Sequence, residues 1–205
     1  MSRLASLSPA ALRAMFSTDS DDSLMMLLTL TNPALAAPVR ITENYTHKYE
    51  YLTAGSMTVT NLSTGSASAY TYLPADEVIK DAINYDTSNA LYGVKSGSRY
   101  FLFVPFSMSL PTEEAASSPR CSITIQDVTR LIVPVIRTIN TALTANTELV
   151  LTSTPDVIEA SFPAFKMAGV TYTSSTVSAE LTVESMDIEP FPAHTFTPSY
   201  FPGIF

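Results

Sequence analysis

Two periods of apolar residues run through this chain, one of two residues and one of three to four, and together they lay out its elements. Ser8 followed by Pro9 is a helix start, because the hydroxyl can accept from an orphan backbone donor and proline is pre-set for the first helical position. A short helix over Pro9 to Phe16 is expected, then an acidic turn from Ser17 to Ser23. Leu24 to Thr31 (LMMLLTLT) reads as a buried strand closed by Thr31-Asn32-Pro33, and Val39 to Thr42 as its hairpin-like partner.

From residue 44 to 96 the texture changes. Ser, Thr, Gly, Ala and Tyr alternate without strong apolar runs (YLTAGSMTVTNLSTGSASAYTYL), which predicts exposed antiparallel ribbons more than a core layer. Within this stretch PADEVIKDAIN, Pro74 to Asn84, is helical in pattern, with Val78 and Ala82, and Ile79 and Ile83, at i, i+4 spacing and with Asp76 and Glu77 in its first turn.

Arg99 to Leu110 (RYFLFVPFSMSL) alternates as a strand whose inward face shifts at Pro105, so a bulge or an edge position is expected there. A polar loop, Pro111 to Pro119, leads to a strand with Cys121, Ile123 and Ile125 on one face. Asp127 can then cap a helix reaching Thr141, striped by Val128, Leu131, Ile132, Val135, Ile136 and Ile139 and kinked at Pro134. Thr147 to Thr154 and Val157 to Phe162 read as strands. Phe165 to Thr173 and Thr176 to Ser185 form a hairpin around Ser174 and Ser175, with Val170 and Tyr172 on one arm and Val177, Ala179, Leu181 and Val183 on the other.

The last stretch, EPFPAHTFTPSYFPGIF from Glu189 to Phe205, can be neither helix nor central strand. Pro190, Pro192, Pro198 and Pro202 remove backbone donors and push their predecessors towards extended geometry. Its rings, Phe191, Phe196, Tyr200, Phe201 and Phe205, need burial against this domain or a neighbouring subunit. They are the candidate assembly interface. The fold class that results is mainly β with α, a β-rich α+β chain whose antiparallel strands form a sandwich or barrel-like core. One main amphipathic helix lies near 127–141 and an extended arm occupies 189–205, all in a single domain, 1–205, with an insertion at 46–96.

Composition narrows the functions open to such a domain. With 205 residues one core is the expectation. The net charge is −8 and the eleven Lys and Arg are scattered singly, which argues against binding nucleic acid through its phosphates. The apolar run at Leu24 imitates a signal peptide, with Ala34, Ala36 and Ala37 as a cleavage-like site. Asp19, Asp21 and Asp22 stand where such a segment carries positive charge, however, and the run is too short to span a bilayer. Cys121, the single cysteine, permits no internal disulfide and reads as a small core residue.

Catalytic patterns are not found in the sequence. His47 and His194 have no metal-ligand spacing partner, and no nucleophile elbow, phosphate-binding glycine loop or dinucleotide fingerprint occurs. Asp19, Asp21 and Asp22 begin like a calcium loop without its glycine or closing glutamate, and Glu113 and Glu114 are neighbours in a loop. No cofactor is expected, and the chain does not read as an enzyme.

Four stretches together resemble the bacteriophage tail proteins of the family known as domain of unknown function 1833. They are LLTLTNPALAAPVRI, FLFVPFSMSLP, PRCSITIQDV and the terminal EPFPAHTFTPSYFPGIF, so the likeness spans residues 22 to 45 and 97 to 205 and leaves 46 to 96 as an addition. What the resemblance implies is a distal-tail or hub-like structural protein at the tail tip of a long-tailed phage, assembled in the host bacterial cytoplasm and carried in the virion. Its partners would be itself, as a ring with a hexamer favoured over a trimer, and other phage tail proteins. A ring of this kind is built from heterologous contacts that close on rotation. Two alternatives stay open: a receptor- or glycan-binding module resting on the Ser, Thr and Tyr-rich insertion, and a cell-wall hydrolase.

Overall fold

The computed structural model describes residues 7–17, 22–109, 120–126, 139, 141–173 and 175–182, with the side chains of 163 and 164 excepted. The helix expected from Asp127 therefore lies outside the described residues apart from its end, as do the loop 111–119 and the arm 189–205. Thr141 itself is a bend and not helix. Its carbonyl and hydroxyl are both taken by the Asn32 side-chain amide, at 3.3 and 2.9 Å, which fixes the chain to the turn after the first strand.

Helix α1, Pro9–Phe16, starts as its sequence predicts, with the Ser8 hydroxyl accepting from the Ala11 N–H at 3.1 Å. The strands follow: β1 Leu24–Thr31, β2 Val39–Thr42, β3 His47–Thr53, β4 Ser56–Asn61 and β5 Ala67–Thr71. A 3₁₀ turn, Pro74–Asp76, opens into α2, Glu77–Tyr85. Then come β6 Leu91–Ser96, β7 Arg99–Phe103, β8 Phe106–Met108, β9 Arg120–Gln126, β10 Thr144–Leu151, β11 Ile158–Tyr172 and β12 Thr176–Thr182. The β-rich α+β class expected from the sequence is what forms.

All twelve strands belong to one sheet, in the order β5-β4-β3-β6-β7-β2-β1-β10-β11-β12-β9-β8. Among the described residues every pairing is antiparallel except β2 with β7. β7 and β8 are separated only by Val104 and Pro105, yet they stand at distant places in this order. The Val104 N–H still donates to the carbonyl of Thr42, the last residue of β2, at 3.0 Å, while the Pro105 carbonyl accepts from Gln126 of β9 at 2.8 Å. The run from β7 to β8 thus curls back on itself as a barrel-like ring, and the face shift at Pro105 is the corner that closes it. A proline suits this corner because it has no N–H to leave unpaired.

β1 is the axis of the packing and buries both of its faces. Leu28 and Leu30 join Ile41, Leu102, Ile123, Ile125, Phe165, Met167 and Leu181 in the interior cluster. Met25 and Leu27 lie on the opposite side with Val94, Phe101 and Val150, and α1 rests against β1. A strand apolar on both faces reads as the near-continuous run seen in the sequence.

Residues 46–96 supply β3 to β6 and α2, a contiguous extension joined to the ring through β6 and β7. Its strands are antiparallel ribbons as expected, but they are not merely surface. Tyr49, Met57, Val59, Ile79 and Ile83 are buried in the same cluster as β1 and β9, so one face of the extension is core. The Thr and Ser that suggested exposure occupy the alternate, outward positions of β4.

Two further differences concern β11. The strands expected at Val157 to Phe162 and from Phe165 are one strand of 15 residues, which passes Pro163 by a register shift against Ala145 and Thr147. A second shift, between Ala168 and Thr171, sits at Gly169 with φ +59°, where glycine tolerates the left-handed backbone. Val170 packs partly against the core beyond this bulge, Tyr172 is half exposed, and the buried residues Phe165 and Met167 precede it.

Candidate functional site

The extension is fastened at Asp76, which is 2% exposed. Its carboxylate accepts from the Tyr70 hydroxyl and the Leu73 N–H, both at 2.9 Å, and stands 3.4 Å from an Arg40 guanidinium nitrogen. Asp76 stands in the first turn of the helical segment as the sequence predicts, at the end of the 3₁₀ turn that runs into α2, and its carboxylate also ties β5 and that turn to β2. The Tyr70 ring lies 4.1 Å from that of Tyr100, which in turn meets Tyr49 edge-on at 6.0 Å. Burial and the adjacent Asp76 carboxylate hold the Tyr70 hydroxyl well above the usual phenol range, and burial pushes Tyr72 up to about 12. These tyrosines are neutral structural groups.

Where the extension meets the ring, a cleft of about 440 Å³ opens between β3, the end of β4, β6 and the loop after β10. His47, Asn61, Lys95 and Asp156 line it with Ser153 and Thr154. The His47 ring is 2.8 Å from the Thr46 hydroxyl, and its Nδ1 also receives the Lys95 N–H at 3.4 Å. Asn61 Oδ1 accepts from the Ser63 and Thr64 N–H groups, which turns its Nδ2 towards His47 Nε2 at 3.5 Å. Burial and the Lys95 charge depress the His47 pKa against the opposing pull of Asp156. His47 is thus a hydrogen-bonded ring whose charged form is disfavoured. Asp156 braces the β6–β7 turn by accepting from the Gly97 N–H at 2.6 Å. The cleft presents a cation, an anion and hydroxyls to a polar ligand. Its lining comes from segments far apart in the chain, so no spacing in the sequence could announce it.

The candidate assembly residues Phe191, Phe196, Tyr200, Phe201 and Phe205 lie outside the described residues, as do His194, Glu113, Glu114, Asp19 and Asp21. Asp22 accepts from the Ser23 N–H at 3.1 Å, from the Thr152 hydroxyl at 2.6 Å, and from Ser153. It clips the start of β1 to the end of β10. Cys121 is buried on the inner face of β9 with its thiol pushed up by burial, a core residue. It borders a smaller cleft of about 250 Å³ lined by Ser109, Arg120, Ser122 and Glu180. Among the described residues no three His, Cys, Asp or Glu side chains are grouped to hold a metal ion, and no helix is long and apolar enough to cross a membrane. No protein-family model, curated protein or solved structure matches the chain.

Proposed function

We propose that this chain is a structural component of the tail tip of a long-tailed bacteriophage, a ring or hub that joins the tail tube to distal proteins. The observation that carries the reading is a coincidence of sequence and topology. The stretches resembling phage tail proteins, 22 to 45 and 97 to 205, supply β1, β2 and β7 to β12, which are consecutive in the sheet order. They make one closed unit, and the stretch without resemblance is the one that stands beside it. The aromatic arm is the element that would cross to the next subunit, since a proline-rich segment loses little conformational entropy on docking.

Purified virions examined by mass spectrometry and imaging test this directly: the protein should be found at the tail tip, and its absence from particles overturns the reading. Removing Phe196 to Phe205 should leave a folded protein that fails to enter tails. Normal infectious particles from that truncation would refute the role given to the arm.

The polar cleft at His47 favours a second reading, a receptor- or glycan-binding module. Deleting residues 46–96 would be a poor test, because it strips Tyr49, Met57 and Val59 from the core. Lys95→Glu and Asp156→Lys are better suited; loss of host attachment with intact tail assembly would favour this reading.

A further inference from the structure

Among the described residues β5 ends the sheet on the side away from β8, and it is paired only with β4. Its backbone orientation follows from the two ends of that pair. The Ser66 carbonyl accepts from the Asn61 N–H and the Tyr72 N–H donates to the Gly55 carbonyl. Even-numbered residues therefore turn their peptide groups to β4, and Ala67, Ala69 and Thr71 turn theirs outward. These three are exposed. Natural edge strands are commonly blunted by charge, proline or a bulge. The sequence ASAYT has no charge and no proline, and its register against β4 is unbroken.

We propose that β5 is a self-association edge, at which two copies of this chain pair their β5 strands antiparallel across a two-fold axis through Ala69. In this register Ala69 faces the partner's Ala69, and Ala67 faces the partner's Thr71. Each of these pairs exchanges both of its outward N–H and C=O groups. Ser68 faces the partner's Tyr70, a small side chain opposite a large one. The argument for a second copy is electrostatic. Two-fold pairing sets the strand against an identical copy of itself, so any charge on it would meet the same charge within a few residues of the axis, and the whole chain carries a net −8. Both β5 and its neighbour β4 are uncharged, so this edge is a place where two acidic copies can approach without that cost. With only five residues the contact is weak, and the dimer is populated at high protein concentration. The inference does not rest on the tail-tip reading, since a two-fold contact links pairs of copies whatever else they join.

The test uses the full-length protein in sedimentation velocity over a concentration series. A reversible dimer is expected, with slowed amide exchange at Ala67, Ala69 and Thr71. Ala69→Pro removes an outward N–H while leaving the ladder to β4 intact, and Ala69→Lys places like charges at the axis. Either change should abolish the dimer with the melting temperature unaltered. In a Cys121→Ala background, Ala69→Cys should give a disulfide-linked dimer on mild oxidation. A monomer at every concentration whose introduced thiol stays reduced overturns the proposal. So does a dimer that persists in both Ala69→Pro and Ala69→Lys.

Discussion

Ser8 and Glu159 are joined twice: the Ser8 N–H donates to one carboxylate oxygen of Glu159 at 2.9 Å and the Ser8 hydroxyl to the other at 2.8 Å. The same hydroxyl oxygen caps α1, so one serine both starts the helix and pins it to β11. Hydrogen bonds to a charged group and a helix cap are each worth on the order of 1–2 kcal/mol, and they share one atom here. Ser8→Ala should cost about 2 kcal/mol in urea unfolding. Glu159→Ala should cost less, and the double variant should cost less than the sum, because the two residues act through one contact. Additive losses would show that α1 is held elsewhere.

Asp76→Ala should be among the most damaging polar substitutions in the chain. The Arg40 side chain is only 14% exposed, and without Asp76 it becomes a buried cation without its partner. Breaking a pair of this kind from one side costs about 3–5 kcal/mol. Replacing Arg40 and Asp76 together by leucine should be milder than Asp76→Ala alone. The near-ultraviolet circular dichroism of the Tyr70, Tyr100 and Tyr49 cluster should collapse in the single variant. A native spectrum there would mean that the extension is held without its carboxylate.

Stability should fall as the solution is acidified from neutral. His47 has a folded-state pKa below its ordinary value near 6.5, so between the two values the unfolded chain binds more protons than the folded one. The stability it contributes is therefore complete above about pH 6.5 and is lost as pH drops towards its folded pKa. Glu43, whose carboxyl is raised by burial and only partly offset by the Met26 N–H, acts in the opposite sense over a lower, carboxylate range. Urea midpoints measured from pH 5 to pH 8 should show a downward slope on the acid side, flattened by His47→Gln. An unchanged slope in that variant would assign the effect to other groups.

Gly93→Ala should prevent folding or cost more than about 3 kcal/mol. A methyl group on Gly93 would stand 1.9 Å from the Phe101 carbonyl oxygen and 2.7 Å from the Tyr49 ring. The first of these is backbone and cannot swing away, and the Tyr49 hydroxyl is itself committed to the Phe101 carbonyl at 3.2 Å. Soluble expression with native melting behaviour would contradict this reading of the β3–β6–β7 junction.

How much of this could be read from the sequence depended on whether the physics was local. The Ser8 cap, the two-sided apolar run of β1 and the Cys121, Ile123, Ile125 alternation of β9 each rest on neighbours in the chain, and each was legible. The buried faces of β3 and β4 were harder. Tyr49, Met57 and Val59 are spaced among Thr, Ser and charged residues, and the pattern does not say that a distant barrel covers one side. The bulge at Gly169 was hidden because alternation on either side of it is intact and only the parity changes. Least visible was the cleft, whose His47, Lys95 and Asp156 become neighbours only through the pairing of β3 with β6 and the position of the loop after β10.

The parallel contact of β2 against β7 has an evolutionary corollary. Antiparallel neighbours can be joined by a hairpin, but parallel ones require a connection that crosses back over the sheet, of about a dozen residues or more. In this chain that connection is the entire stretch from β3 to β6. Its minimum length is set by the core residues Tyr49, Met57 and Val59 that it contributes and its maximum by nothing in the barrel, so insertions can accumulate in the turns between Glu43 and Ser98 while both anchor strands keep their register. Descendants of one ancestor should then differ most in size here and keep the corner at Pro105.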